Sequence, residues 1–180
     1  MQPADRPSQA GRHELPGAPL RIAIGADHGG TTLKQSLVDA LVAAGHDVAD
    51  HGTHGTTSVD YPDVAADVAR SVAAGQAERG VLVCGSGIGV SIAANKVPGI
   101  RAALVHDATT ARLAREHNDA NILCLGERTT GSVVAIDAVA AWLGAAFEGG
   151  RHQGRVDKIT QLERAAAHAV LAPTSTREPA

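Results

Sequence analysis

The chain has 180 residues, 44% of them apolar, and a formal net charge of −3. That length suits one domain with a real core rather than two. Without a basic footprint, and with Tyr61, Trp142 and Phe147 as its whole aromatic set, it is not expected to bind duplex or to stack bases.

Residues 1–19 set Pro3, Pro7, Pro16 and Pro19 among polar residues with no apolar period, and read as a disordered leader. A single domain is expected over 20–170, with a disordered tail over 171–180. LRIAIGA (20–26) predicts a first strand, and TTLKQSLVDALVAAG (31–45) a helix closed by a C-cap glycine. DVAD (47–50) predicts a short second strand, and YPDVAADVARSVAAG (61–75) a helix that tolerates Pro62 in its first turn. GVLVCG (80–85) reads as a buried third strand, followed by a helix through Lys96. IRAALVH (100–106) is the fourth strand, Asp107 caps a helix to about His117, and NILCLG (121–126) is the fifth strand. GSVVAIDAVAAWLGAAF (131–147) is helical, and a last helix follows Gly149-Gly150. The alternation predicts an α/β fold: a doubly wound, Rossmann-like, five-stranded parallel sheet in the order 2-1-3-4-5.

Such a sheet opens a crevice between the carboxyl ends of strands 1 and 3. Strand 1 ends in Asp27-His28-Gly29-Gly30 and strand 3 in Cys84-Gly85-Ser86-Gly87, so two distant segments bring ionisable groups to one place. The glycines could mark a dinucleotide loop, since Gly85 and Gly87 fit G-x-G-x-x-G. The third position is Val90, however, and the loop follows the third strand rather than the first. The other reading starts from Cys84, placed between a buried strand and a helix N-terminus, with loop amides able to form a nest for an oxyanion or enediolate. Cys124 lies inside a strand without polar company and reads as core. Two cysteines cannot build a secreted disulfide framework. No segment reads as a signal peptide or a membrane span, so a cytoplasmic protein that meets no membrane is expected. Arginine outnumbers lysine thirteen to three, a bias compatible with a GC-rich bacterial genome.

Five blocks in order, DHGG (27–30), DYPD (60–63), CGSGIGVSIAANKVPGIRAALV (84–105), REHNDANIL (115–123) and EGGRHQGR (148–155), closely resemble the type B ribose-5-phosphate isomerases. The resemblance runs from about Arg21 to Ile159. It implies an aldose–ketose isomerase of the pentose phosphate pathway, without metal or other cofactor, that joins ribose 5-phosphate and ribulose 5-phosphate through an enediolate. It also implies a homodimer or homotetramer, with the C-terminal helix packed on a partner subunit.

Residue by residue, the resemblance makes Cys84 the base that moves a proton between C1 and C2, and Ser86 the hydroxyl that shuttles protons between oxygens. Gly85, Gly87, Ile88, Gly89 and Val90 would supply the anion hole; some relatives carry a glutamate where this chain has Val90. His117 would open the furanose ring, Asn118 beside it would contact substrate, Asp27 would bind sugar hydroxyls, and His28 would lie near the phosphate or ring oxygen. Arg128, Arg151 and Arg155 fall on phosphate-binding positions, the last two spaced to share a helix face. Relatives acting on tetrulose phosphates, allose 6-phosphate or galactose 6-phosphate keep the chemistry and change the sugar. A non-catalytic nucleotide-binding module is the reading from another class.

One expectation comes from geometry. His117 precedes strand 5 while Cys84 ends strand 3, so parallel strands put them at opposite ends of the sheet, roughly 15–20 Å apart. A pentose phosphate cannot bridge that distance, which predicts a site shared between subunits. His51 and His54 have metal-like spacing but no third ligand nearby, and read as a solvated loop.

Overall fold

A computed structural model describes residues 18–171, with the expected leader and tail otherwise outside the described residues. Strands β1 (Arg21–Ala26), β2 (Asp47–Asp50), β3 (Arg79–Cys84), β4 (Ala102–Leu104) and β5 (Ile122–Gly126) form one parallel sheet. Helices α1 (Thr31–Ala43), α2 (Tyr61–Ala73), α3 (Ile88–Ala94), α4 (Ala108–Asn118) and α5 (Ser132–Gly144) alternate with them. A 3-10 turn, Gly150–His152, leads into α6 (Gln153–Leu171), which takes in the first residue of the expected tail.

The doubly wound sheet is the expected one except for the rank of its last two strands. Its order is β2-β1-β3-β5-β4, not 2-1-3-4-5. Burial explains the exchange. Strand β5 is buried at all five positions, as a strand covered on both faces must be. Strand β4 has three residues, each half-buried, and takes the edge. Asn95 covers part of that edge: its Nδ2 donates to the Ala102 carbonyl at 2.8 Å, and its Oδ1 accepts the Ala102 N–H at 2.9 Å.

Alternation along the strands divides the core between two faces. Ile22, Ile24, Val81, Val83, Leu123 and Leu125 point to one layer, with Leu37 and Leu41 of α1 and Trp142 of α5. Ala23, Leu82, Cys84, Ile122 and Cys124 point to the other, with Val68 of α2 and Val90 of α3. The Trp142 indole N–H donates to the Ala120 carbonyl at 3.2 Å, which satisfies its polar atom inside the core. Lys34 is buried, and its ammonium donates to both Asp50 oxygens at 2.7 and 2.8 Å, fastening α1 to the end of β2.

Helix α1 begins without a local side-chain cap. Its N-cap residue is Gly30, where a Cβ would lie 2.8 Å from Val83 Cγ1 and 2.9 Å from the Val83 carbonyl carbon. Ser, Thr, Asp and Asn, the usual caps, are thereby excluded. Glu127, just after β5, replaces them: its Oε2 accepts the Leu33 N–H at 2.8 Å. Among the described residues, no helix is long and apolar enough to cross a membrane.

Candidate active site

The crevice between β1 and β3 is a cavity of about 390 Å³ lined by Asp27, His28, Tyr61, Cys84, Ser86 and Arg128, with glycines between them. Asp27 Oδ1 accepts the Gly29 N–H at 2.9 Å, an Asx turn that fixes the carboxylate at the crevice. His28 Nδ1 accepts the Val59 N–H at 3.4 Å, so the neutral ring carries its proton on Nε2. Cys84 is 5% exposed. Its Sγ accepts the Gly87 N–H at 3.1 Å, an approach that uses the left-handed backbone of Gly87 at φ 76°. Ser86 Oγ accepts the Ile88 N–H at 3.4 Å. For Cys124, burial pushes the thiol well above the usual range, as expected of a packed residue.

The glycines of the loop admit neighbouring side chains. A Cβ on Gly85 would sit 3.3 Å from the Arg128 guanidinium carbon, and one on Gly89 would sit 2.7 Å from the Tyr61 ring. Arg128 thus lies across the backbone beside Cys84, and Tyr61 lies over the first turn of α3. The turn after β5 hangs from β3 by two bonds: Glu127 N–H to the Cys84 carbonyl at 2.9 Å, and Arg128 N–H to the Gly85 carbonyl at 3.0 Å.

Not every residue of the expected loop faces this space. Val90 is fully buried in the core and Ile88 is 52% exposed outside the cavity. The Gly87 N–H is engaged by sulfur, and Gly87 lies outside the cavity lining. Gly85 and Gly89 do line it. The sequence reading gave no site role to Tyr61 or Gly29, which it placed only within the DYPD and DHGG blocks, nor to Thr129. The signal for Tyr61 was its scarcity: it is one of three aromatics, and it stands before Pro62.

His117, Asn118, Arg151 and Arg155 do not line the cavity. Cys84 is in register with Gly126 and Gly80 with Ile122, a run of about 13 Å along the sheet. His117 lies before Ile122, at the amino end. There its ring stacks on His152 with centroids 4.2 Å apart and planes 7° from parallel. Glu148 Oε2 lies 3.8 Å from His117 Nε2 and 3.5 Å from His152 Nε2. Burial first, then the charges of His117 and Arg151, push His152 below the ordinary histidine range. Arg151 Nε accordingly donates to its Nε2 at 3.3 Å. Arg151 stands in the 3-10 turn and Arg155 in α6, so the two do not fall on one α-helix as expected. Gly149 and Gly150, both at positive φ, 63° and 52°, turn the chain just before this segment.

His117, Glu148 and His152 offer donor atoms within 4.8 Å of one another. Parallel rings cannot aim two in-plane lone pairs at one ion between them, and Arg151 already occupies one of those lone pairs. As arranged, the cluster suits proton handling and not a cation. His51 and His54 are both exposed on the loop after β2, with His54 Nδ1 3.7 Å from Asp50.

A doubly wound α/β protein with a thiol, a carboxylate and an arginine at its switch point is built to bind an anionic small molecule and move protons on it. The comparisons make this specific: the ribose/galactose isomerase family model matches residues 22–159, and the chain belongs to that family. It is 49% identical over 144 residues to ribose-5-phosphate isomerase B of Escherichia coli, covering 80% of this chain and 97% of that one. It is 43% identical to D-erythrulose-4-phosphate isomerase of Pectobacterium atrosepticum, over 83% and 99%. Among solved structures, ribose-5-phosphate isomerase B of Clostridium thermocellum superposes with TM-score 0.81 at 54% identity, covering 82% and 99%. The Mycoplasma genitalium enzyme with bound ribulose-5-phosphate gives TM-score 0.77 at 44% identity, covering 80% and 96%.

Proposed function

We propose that the chain interconverts ribose 5-phosphate and ribulose 5-phosphate, with one domain over residues 20–170 doing the chemistry. The observation that carries this reading is that Cys84, Asp27 and Arg128 line one cavity. Cys84 takes the C2 proton of the open-chain aldose and returns it to C1. Ser86 moves the hydroxyl proton from O2 to O1, so the enediolate collapses to the ketose with all atoms conserved. Asp27 and His28 hold sugar hydroxyls, and Arg128 faces negative charge. His117 and Asn118 lie at the other end of the sheet, as do the residues around Arg151. They complete the site of a second copy, in a homodimer or homotetramer seated on α6. The enzyme works in the cytoplasm of a bacterium, in pentose phosphate metabolism.

Subunit complementation tests the shared site. Cys84→Ala and His117→Ala are each inactive alone, and mixing them under exchange conditions restores part of the activity, because hybrids contain one intact site. No recovery despite demonstrated exchange would refute it. A tetrulose phosphate is the second reading, favoured by the 43% identity to the erythrulose-phosphate enzyme. An assay across four-, five- and six-carbon sugar phosphates decides, the highest kcat/KM naming the substrate.

A further inference from the structure

At the amino end of the sheet lies a second cavity, also about 390 Å³, whose lining includes Arg21, Arg79, Arg101, Arg115, Glu78 and Asp119. Arg79 opens β3 and Cys84 closes it, so the two cavities are separated by the length of that strand, about 16 Å. Four guanidinium groups here face two carboxylates, in a chain whose formal net charge is −3.

The carboxylates are hydrogen-bonded to groups other than the Arg79 guanidinium. Asp119 Oδ2 accepts from Arg101 Nη2 at 2.7 Å, and its Oδ1 accepts from Arg115 Nη1. Glu78 Oε2 accepts the Arg21 backbone N–H at 3.1 Å and lies 3.7 Å from Arg21 Nε. Arg79 has no carboxylate within ion-pair distance among the described residues; its Nη1 donates to the Glu78 carbonyl at 2.8 Å. Arg115 Nε is buried with no hydrogen-bond partner among them. Burial, and then the charge of Arg115, lower the Arg79 value, and Asp119 and Glu78 offset this only in part. A guanidinium does not shed its proton near neutrality, so an incoming anion is what relieves this repulsion.

We propose that this cavity is a second anion site, which takes a phosphate group on Arg79 and Arg115. The lining carries two more guanidinium groups than carboxylates, an excess that matches a dianion in charge. Planar guanidinium forks match phosphate oxygens in geometry. The volume admits a phosphate with a small organic remainder. Binding here stabilises the folded chain by mass action and does not require the catalytic thiol.

The test is calorimetric titration of the full chain with inorganic phosphate, at ionic strength held constant with sodium chloride. Arg128→Ala in combination with Arg151→Ala removes phosphate held at the proposed catalytic site. In that background a saturable event of one phosphate per chain remains, and adding Arg79→Gln weakens it at least about tenfold, the loss of one charge-assisted contact. In the otherwise wild-type chain, Arg79→Gln leaves isomerase kcat/KM unchanged. If Arg79→Gln fails to fold, arginine modification by phenylglyoxal, read by mass spectrometry on the wild-type chain, replaces it: phosphate shields Arg79 and Arg115. The proposal is overturned if titrations with and without Arg79→Gln coincide, if chloride reproduces the effect, or if phosphate shields neither arginine. Wild-type chain that lacks isomerase activity yet keeps the Arg79-dependent event would refute the proposed function and leave this site standing.

Discussion

Helix α1 carries the loop of Asp27 and His28 on its N-terminus, and Glu127 caps it from 94 residues away in sequence. Glu127→Ala removes the acceptor for the Leu33 N–H and leaves that amide without its partner. A lost N-cap costs typically ~1 kcal/mol and up to ~2. The carboxylate also sits at the positive end of the helix dipole, so a loss of about 1–2 kcal/mol is expected, or roughly 2–8 °C in melting temperature for a chain of this size. Glu127→Gln keeps an acceptor and loses the charge, and should recover about half of that deficit. The two backbone bonds from the β5–α5 turn to β3 survive both substitutions, so Arg128 keeps its place and isomerase kcat and KM stay near wild type. Scanning calorimetry at fixed chain concentration, with kinetics on the same samples, reads both quantities. An alanine variant that melts with the wild type would refute the cap. A glutamine variant that melts with the alanine variant would refute the hydrogen bond as its basis.

The other expectations rest on separate contacts. Gly89→Ala adds a Cβ 2.7 Å from the ring of Tyr61, which is 41% exposed and free to swing out; alanine improves helix propensity, so the melting temperature holds or rises while KM increases. Asn95→Asp keeps the oxygen that accepts the Ala102 N–H but turns a second oxygen toward the Ala102 carbonyl, costing about 1 kcal/mol; light scattering should also show more self-association through the bared edge of β4. His46 is buried, its Nδ1 accepts the Leu20 N–H at 3.2 Å, and burial lowers its value from 6.5. Below that pH the unfolded chain takes up the proton first, so stability is full above about pH 7 and falls as pH drops through 6.5 and below. Urea titrations of His46→Gln across pH 5 to 8 should show a flatter decline, and a slope unchanged by the substitution would exclude His46 as its source.

What could be read from the sequence was what local chemistry decides. Asp107 caps α4 through the Thr110 N–H at 2.8 Å, as its position before an amphipathic run implied. The run DVAD formed a strand at the residues expected. Cys84 and Asp27 met at one crevice because a switch point follows from the alternation of strands and helices alone. What could not be read depends on contacts between distant segments. Nothing in the local sequence of Glu127 announces a cap for α1, since its need arises from Val83 crowding Gly30. The His117–His152 stack was equally hidden, because it requires the left-handed pair Gly149-Gly150 to return the chain against the end of α4.

The exchange of the last two strands is the misreading with the largest consequence for the site. In the order 2-1-3-4-5, the fifth strand would lie two places from the third, about 9.6 Å away. Arg128 would then have reached the crevice only by extending over the end of the fourth strand. With β5 beside β3 that distance halves, the turn after β5 hydrogen-bonds directly to the Cys84 and Gly85 carbonyls, and the guanidinium lies against Gly85. The same exchange leaves His117 where parallel geometry put it, because a strand's neighbours do not change which of its ends it begins from. Strand order therefore decides how closely Arg128 approaches the thiol, and strand direction alone decides that His117 stands at the other end of the sheet.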